Sequence, residues 1–344
     1  MVEVSRRPPG SADVARRAGV SQKTVSRVMN GEQYVSAAVR ERVLAAAREL
    51  GYRRNTAARA LNLGRFHRIG VATLGSSLYG PASTLIALER EARRIGYALS
   101  VVNTFEGDAG SIRSAVDSLL EQGVDGIVLS EPIDEHEELH IDPAVPVLSF
   151  GRAPGLDGPR AVATDISGAD AGRRATAHLL SLGHRTVWHV AGPEKWWSAG
   201  ERLAGWRAAL AGAQAAAPPP LVGDWSPASG YAAGRLLAAE PDVTAVFVAN
   251  DEMAIGVLRA LAEAGRRVPA DVSVVGMDDI PAAAYLSPPL TTIRQDFAAL
   301  AAHGLAMLVR HIEGREAPPP HTDLTAPLVV RQSTAPARPG RRAT

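Results

Sequence analysis

The sequence predicts an α/β protein in which a small helical head precedes a large body of doubly wound parallel sheets. Two observations predict it. Residues 11–30 contain two short helical patterns separated at Gly19. From residue 68 onward, apolar runs typical of buried strands alternate with helical patterns. At 344 residues, the chain is long enough for two or three domains.

The first two helices of the head separate polar from apolar positions. Ser11 can cap the first helix, with Asp13 in its first turn, and Gly19 permits the tight turn that follows. Ser21 can cap a second helix whose apolar stripe is Val25, Val28 and Met29. The opposite face carries Gln22, Lys23, Ser26 and Arg27. This pattern predicts a helix-turn-helix suited to the DNA major groove, and an ordinary helical hairpin with a solvated basic face is the alternative.

A third helix completes the head. Ser36 can cap it, Gly51 ends it, and its expected buried stripe is Val39, Val43, Leu44, Ala47 and Leu50. Residues 55–64 then form a short, alanine-rich stretch that is too short for a stable isolated helix. This stretch is either a flexible linker or a helix that forms only when something packs on it.

The charge of the chain is unevenly distributed. Residues 1–62 contain twelve Lys or Arg against five Asp or Glu, which gives +7, whereas the remaining residues carry 25 against 31, which gives −6. A basic head on a mildly acidic body indicates a phosphate-binding module joined to a part that does not bind phosphate.

The body alternates strands and helices. The predicted strands are 69–73, 98–102, 126–129, 145–150, 187–191, 245–249 and 272–277. The predicted helices are 81–95, 111–122, 170–182, 199–213, 228–239 and 252–264. Because about 270 residues are many for one sheet, two similar lobes with a cleft between them are expected. Ligands of such sheets bind at the carboxyl ends of strands, which points to Thr73, Asn250, Asp251, Asp278 and Asp279.

Composition excludes several classes of protein. The chain has no cysteine, so it can form neither disulfides nor thiolate sites. It shows no N-terminal apolar run before a cleavage site and no run of eighteen apolar residues, so we expect a soluble, cytoplasmic protein without a membrane partner. The segment 334–344 is rich in Pro and Arg and is expected to be disordered, and it carries no leucine heptads.

Motifs along most of the chain resemble those of the lac repressor family of bacterial transcription regulators. They are Asp13-Val14-Ala15, Ala18-Gly19-Val20-Ser21, Thr24-Val25-Ser26-Arg27-Val28, Leu50-Gly51-Tyr52, Ile69-Gly70-Val71, Gly183-His184, Ala249-Asn250-Asp251, Val275-Gly276-Met277-Asp278-Asp279 and Pro289-Leu290-Thr291-Thr292-Ile293. Three further segments resemble the inducer pocket of the member for which the family is named. They are Arg202-Leu203-Ala204-Gly205-Trp206, Gly223-Asp224-Trp225-Ser226 and Gln295-Asp296-Phe297.

The resemblance implies a domain order. A flexible tail (1–10) precedes the helix-turn-helix head (11–54) and a hinge helix (55–64). The two-lobed, periplasmic-binding-protein-like body then consists of an N-terminal lobe (67–166 and 295–324) and a C-terminal lobe (167–294 and 325–333).

The resemblance also implies site residues. Those expected to contact DNA are Ser21, Gln22, Lys23, Thr24, Ser26, Arg27, Asn30, Asn55, Ala58 and Leu61, with Leu61 as a wedge in the minor groove. Those expected to contact the effector are Leu78, Ser198, Arg202, Trp225, Asn250, Asp278, Gln295 and Phe297. Their chemistry suits a sugar, because the polar groups can bind hydroxyls and the aromatic rings can cover the C–H face of a pyranose.

The sequence departs from the family pattern at three places. Arg54 stands where the family often has proline, and the alternatives are a looser entry to the hinge or an added phosphate contact. Gly151-Arg152 stands where the member that names the family has a sugar-binding aspartate. Trp196-Trp197 replace small residues near the mouth of the pocket. The last two departures point to a different and larger glycoside.

The predicted function is a DNA-binding transcriptional repressor that binds a pseudo-palindromic operator as a homodimer. A sugar, a galactoside or other glycoside, is expected to release it by binding in the cleft between the lobes. A corepressor-dependent regulator of the same family and a solute-binding protein without a DNA role are the alternatives.

Catalysis and bound cofactors or metals are not expected. His136-Glu137-Glu138-Leu139-His140 matches a zinc-protease pattern, but the segment is short, lies between Pro132 and Pro143, and has no clear third ligand. Asp278-Asp279 is only weak evidence for a catalytic acid–base pair, because neighbouring side chains at a strand end point apart. A single acceptor for a sugar is the favoured interpretation. The chain is therefore expected not to be an enzyme.

Overall fold

The chain forms two units, Met1–Phe66 and His67–Thr344, in the computed structural model. The structure describes residues 9–29, 32, 34–52, 65–104, 111–130, 141–151, 160–315 and 321–338. The first unit contains a helical head, and the second contains two lobes, each built on a mostly parallel six-stranded sheet. The expected fold class is therefore confirmed.

Three helices form the head: α1 (Ser11–Ala18), α2 (Gln22–Met29) and α3 (Ala37–Glu49). The N-cap of α1 is Gly10, whose backbone N–H donates to the Asp13 carboxylate at 2.9 Å. The expectation that Ser11 caps this helix is therefore wrong, because Ser11 is already its first residue. Gly19 ends α1 with a φ of +65°, as the tight turn requires.

The buried face of α3 differs in part from the expected one, because Ala46 joins it and Val39 and Leu50 are only half-buried. Val43, Ala46 and Ala47 are the buried side chains of α3. Leu44, which was expected to be buried, is 41% exposed. The buried face of α3 follows the i, i+3, i+4 spacing from Val43, and Leu44 lies to one side of it.

The first lobe of the body contains a six-stranded sheet whose strand pairs are all parallel. Its strand order is β11-β5-β4-β3-β1-β2. The strands are β1 (Arg68–Leu74), β2 (Ala98–Thr104), β3 (Gly126–Ser130), β4 (Val147–Phe150), β5 (Ala161–Ile166) and β11 (His321–Leu324). The helices are α4 (Tyr79–Arg94), α5 (Ser111–Glu121) and α10 (Phe297–Ile312).

The second lobe repeats this plan with the strand order β12-β10-β9-β8-β6-β7, in which only the β10–β12 pair is antiparallel. Its strands are β6 (Trp188–Ala191), β7 (Leu221–Val222), β8 (Ala245–Val248), β9 (Ser273–Asp278), β10 (Thr291–Arg294) and β12 (Leu328–Val329). Its helices are α6 (Gly168–Ser181), α7 (Trp197–Gly212), α8 (Pro227–Ala239), α9 (Asp251–Glu263) and the 3₁₀ turn Pro281–Tyr285.

Glycines allow the helices of the second lobe to pack in very close pairs. A Cβ on Gly205 of α7 would lie 2.0 Å from the carbonyl oxygen of Ala169 in α6. A Cβ on Gly256 of α9 would lie 2.0 Å from the carbonyl oxygen of Pro227 in α8. Both helix pairs therefore pack backbone against backbone, which fixes the ends of the strands that they follow.

Residues 334–338 differ from the expected disordered tail. The backbone N–H of Ala335 donates to Ser273 Oγ at 3.0 Å, and that of Ala337 donates to the Leu182 carbonyl at 2.8 Å. Arg338 pairs with Asp271 at 2.9 Å. The expectation is wrong for these five residues, because their backbone groups find partners on the second lobe despite the Pro-rich and Ala-rich composition.

Candidate functional site

A cleft lies where the carboxyl ends of strands from both lobes meet. It is open to solvent, and the space within it is about 350 Å³. Its lining residues are Leu78, Tyr79, Gly80, Pro81, Trp196, Ser198, Arg202, Trp225, Asn250, Glu252, Asp278 and Gln295. The structure thus brings together all of the residues expected at the effector site except Phe297.

Phe297 lies behind the wall of the cleft. It is the first residue of α10, and its ring centroid is 5.9 Å from that of Tyr79, with the two rings edge to face. Tyr79 itself lines the cleft. Phe297 therefore supports a wall residue in this structure and is not among the lining residues.

Arg202, Trp225 and Asn250 form one buried network on the second lobe. Arg202 Nη1 donates to the Ala249 carbonyl at 2.7 Å, and its guanidinium lies 5.2 Å from the centre of a Trp225 ring. Asn250 caps α9 by accepting from the Met253 N–H at 2.9 Å and donates from Nδ2 to the Trp225 carbonyl at 3.0 Å. These contacts fix the orientation of the side chains before any ligand binds.

Two nitrogens of this network have no hydrogen-bond partner among the described residues. They are Arg202 Nε and Trp225 Nε1, and both are buried. Buried donors without a partner carry an energetic cost, so a ligand acceptor placed near them would be stabilising. Two residues of the cleft wall therefore each carry one unsatisfied buried donor.

Asp278 occupies an unusual backbone conformation at the end of β9. Its φ is +124° and that of Asp279 is +58°, both outside the region that L-residues usually adopt. Gln295 Nε2 donates to Asp278 Oδ1 at 2.5 Å. Positive-φ residues that a surrounding network maintains cluster at functional sites, and Trp225 (φ +72°) is a third case in the same cleft.

The buried carboxylate of Asp251 stabilises the turn that follows Asp278 and Asp279. Asp251 accepts from the Ile280 N–H at 3.0 Å and from Thr292 Oγ1 at 2.6 Å. Burial raises the pKa of Asp251 to about 6, although these hydrogen bonds oppose the shift. Asp251, which was expected at a strand end that binds ligand, instead holds the backbone of Ile280 and the hydroxyl of Thr292. It is not among the residues that line the cleft.

Asp279 is held by two arginines. Its carboxylate pairs with Arg294 Nε and with Arg331 Nη2, each at 2.6 Å. Asp278 and Asp279 therefore have separate partners, Gln295 for the first and the arginines for the second. This arrangement disfavours the weak acid–base pair considered from the sequence.

Four lining residues were not among the expected contacts: Tyr79, Gly80, Pro81 and Glu252. Tyr79 and Glu252 each lie in the first turn of a helix that follows a strand end, so the strand-end rule could have found them. Trp196, expected near the mouth, lines the cleft and packs edge to face with Trp225 at 5.6 Å.

The head presents a polar helix surface on α2. Gln22, Lys23, Ser26 and Arg27 are exposed, while Val25 and Val28 are buried. The Ser21 hydroxyl caps α2 by accepting from the Thr24 N–H at 3.1 Å, and the two hydroxyls lie 2.9 Å apart. The expected cap is thus confirmed, and the side chains expected to face DNA bases are exposed.

Several expected residues lie outside the described part of the chain. Asn30 follows α2, and Asn55, Ala58 and Leu61 belong to the expected hinge. Arg54, Arg152 and the segment 136–140 with the zinc-protease pattern also lie there. Their expected roles stay predictions.

The described residues include no group of three or more His, Asp or Glu side chains that could hold a metal ion. Over the same residues, we find no helix with the length and apolar character needed to cross a membrane.

Comparisons with known proteins agree with this architecture. Residues 12–55 match the family described as bacterial regulatory proteins, lacI family, and residues 176–334 match the periplasmic binding protein-like domain. The lactose operon repressor of Escherichia coli (strain K12) is 37% identical over 326 residues, covering 94% of this chain and 89% of that protein.

Two solved structures are similar to the chain. One is the lac repressor dimer bound to operator and the anti-inducer ONPF, with a TM-score of 0.85, 37% identity, and coverage of 96% of this chain and 100% of that one. The other is the complex of the transcriptional regulator CelR with cellobiose, with a TM-score of 0.68, 33% identity, and coverage of 94% and 99%. The resemblance expected from the motifs is confirmed, and the chain belongs to the lacI family of bacterial regulatory proteins.

Proposed function

We propose that this protein is a transcriptional repressor that binds a pseudo-palindromic operator as a homodimer and is released when a sugar binds in the cleft. The observation that carries the proposal is the cleft, where fixed polar groups and aromatic faces meet in a chain that also has an exposed, polar α2. Its relatives are regulators and not enzymes.

The head supplies chemistry for reading base pairs. The amide of Gln22 can pair with adenine N6 and N7, and Lys23 or Arg27 can donate to guanine O6 and N7. Ser21, Thr24, Ser26 and the backbone near Asn30 would instead contact phosphates. In the expected hinge, Asn55 and Ala58 would lie beside Leu61, which would enter the minor groove as an apolar wedge.

The cleft supplies chemistry for binding a sugar. Asp278, Asn250 and Arg202 offer charged and amide groups for vicinal hydroxyls, and Ser198 and Gln295 line the same space. Trp225 offers an aromatic face for the C–H side of a pyranose ring, while Leu78 adds apolar contact. The effector class proposed is a galactoside or another glycoside.

A homodimer would place two heads on the two halves of an operator. The lac repressor similar to this chain is a dimer on its operator. The location that we propose is the cytoplasm, where a bacterial regulator meets its operator.

The proposed coupling follows from linkage. A sugar that binds one arrangement of the lobes more tightly shifts the population toward that arrangement. If this arrangement spreads the two hinges, the hinge helices lose their mutual packing and the heads lose their registration on the operator. The sign proposed is induction, so sugar weakens operator binding.

The DNA-binding part is tested by selecting duplexes from a random library with the wild-type protein. We expect a palindromic consensus at physiological salt. The Lys23→Ala variant should bind it roughly tenfold more weakly and lose preference at one base pair of each half-site. The Lys195→Ala variant is the matched control, because these are the two lysines of the chain and Lys195 lies on the body. Selection of no consensus would overturn the proposal.

A further inference from the structure

Glu252 and Asp278 are the two acidic residues among the lining residues that the structure describes. Glu252 follows Asn250 and Asp251 in the first turn of α9, and it lines the cleft on the second lobe. An acidic side chain in the first turn interacts favourably with the helix dipole, which by itself would explain its presence. Its contacts show that this explanation is incomplete.

The carboxylate of Glu252 faces the first lobe. The backbone N–H of Tyr79, the first residue of α4, lies near enough to lower the pKa of this carboxyl. One of its oxygens, Oε2, is buried and has no hydrogen-bond partner among the described residues. Burial raises the pKa of Glu252, while the Tyr79 N–H opposes that shift. A buried carboxylate oxygen of this kind gains strongly from a donor brought by a ligand.

The charges that line the cleft add a second observation. Among the lining residues that the structure describes, the charged ones are Arg202, Glu252 and Asp278, and their formal charges sum to −1 at neutral pH. Arg202 Nη1 donates to the Ala249 carbonyl, and the guanidinium lies against Trp225. On this side of the cleft, an anionic ligand would therefore meet two carboxylates and one arginine.

We propose that Glu252 is a specificity-determining residue, which accepts hydroxyl hydrogen bonds from an uncharged sugar and rejects sugars that carry a carboxylate or a phosphate. The proposal rests on the sugar-responsive function proposed above and narrows its ligand class. Glu252 and Asp278 form two separate acceptors in one cleft. A polyhydroxylated ligand with donors on two sides fits them, whereas a ligand with an anionic group facing α9 does not.

The test uses the full chain and named probes. Tryptophan fluorescence is titrated with galactose, glucose, ribose, lactose, cellobiose and methyl β-galactoside, and with galacturonate, glucuronate and ribose 5-phosphate. We expect wild-type protein to bind at least one uncharged sugar and to bind its anionic counterpart at least tenfold more weakly.

The Glu252→Gln variant keeps the shape of the side chain and removes its charge. We expect the best uncharged sugar to bind roughly fivefold to tenfold more weakly, and the anionic counterpart to bind more tightly than to wild type. Glu240→Gln, at the exposed end of α8, is the matched control and should change neither affinity. Thermal unfolding of each variant establishes that it is folded. If Glu252→Gln does not fold, Glu252→Ser serves as the second variant.

The outcomes separate the two proposals. If no sugar binds wild-type protein, the sugar-responsive function fails and the inference fails with it. If sugars bind but Glu252→Gln leaves the ratio of uncharged to anionic affinity unchanged, only the inference fails. An equal loss of affinity for every ligand would show that Glu252 only contacts the other lobe and does not select the ligand. That result would also overturn the inference.

Discussion

The two lobes share one architecture, but they differ in how their polar groups are satisfied around the cleft. On the second lobe, Arg202, Asn250 and Asp278 are each fixed by a hydrogen bond to a neighbouring residue. Among the residues that the structure describes, the first lobe contributes the short segment 78–81 at the start of α4. The described side chains of the second lobe are therefore preorganised around the cleft.

Away from the cleft, buried serine hydroxyls of the two lobes differ in whether they have hydrogen-bond partners. Ser333 Oγ on the second lobe donates to the Val274 carbonyl at 2.6 Å and accepts from the Thr291 N–H at 2.7 Å. In the part of the first lobe that the structure describes, Ser130 Oγ and Ser149 Oγ are buried without a partner. The paired hydroxyl of Ser333 links β9 to β10 through their backbone groups, although the second lobe also contains buried unpaired atoms, among them Arg202 Nε and Trp225 Nε1.

The largest effect is expected from removing the charge of Asp278. Asp278→Asn should weaken binding of the effector about 100-fold, because charged hydrogen bonds to hydroxyls are lost. Tyr79→Phe, its first-lobe counterpart, should change affinity less than threefold. Titration by tryptophan fluorescence measures both. Equal losses in the two variants would contradict the assignment of specificity to the second lobe.

The close packing of α6 on α7 is tested by a methyl group. Gly205→Ala should lower the free energy of unfolding by about 2.5 kcal/mol, because its Cβ would meet the Ala169 carbonyl. Gly200→Ala, on the same helix, has no atom within 4 Å of the new Cβ and should be neutral or slightly stabilising. Denaturant unfolding of both variants measures the two free energies of unfolding. Equal values would show that α6 and α7 can move apart without loss of stability.

A buried histidine makes the second lobe sensitive to acid. His189 stacks between Trp206 and Phe247, and burial lowers its pKa to about 4. Because the folded pKa lies below the unfolded value, this contribution to stability is complete above about pH 6.5 and is lost as pH falls toward 4. Between pH 7 and pH 5 the loss should be about 2 kcal/mol.

The measurement is denaturant unfolding of the wild type and of His189→Phe at pH 7, 6 and 5. The variant should lack this part of the pH dependence, whereas His321→Gln, at an exposed position of β11, should retain it. A wild-type slope that persists in His189→Phe would show that another group is responsible.

The smallest effects come from the two serines. Ser333→Ala should lower the free energy of unfolding by about 1.5 kcal/mol, because two buried backbone groups lose a hydrogen-bond partner. Ser149→Ala should change the free energy of unfolding by less than about 0.5 kcal/mol, since its hydroxyl has no partner to lose among the described residues. Comparable losses in both would remove the difference between the lobes.

Much of this architecture is predictable from local pattern. The buried strands β1, β3, β8 and β9 are continuous apolar runs, and their neighbouring helices have the expected periodicity. The prediction omitted β5, whose burial alternates along the strand, and α10, whose sequence is apolar over most of its length. It also omitted the four-residue strands β10 and β11. The two-residue strands β7 and β12 are defined by their pairing and have no pattern of their own.

The site was predictable where strand ends carry side chains with distinctive chemistry, as with Asn250 and Asp278. Contacts across the cleft were not, because the sequence does not show that the start of α4 faces the start of α9. Glu252 was missed for this reason, since its significance depends on Tyr79 of the other lobe. The docking of residues 334–338 depends likewise on distant partners such as Ser273.

The central claim is that a ligand of the cleft changes the affinity of the head for DNA. Fluorescence anisotropy with the selected operator, with and without the best uncharged sugar, measures this directly. The account predicts that saturating sugar weakens operator binding, and that operator weakens sugar binding by the same factor. An operator affinity that every sugar of the panel leaves unchanged would contradict it, and a sugar that strengthens binding would reverse the proposed sign.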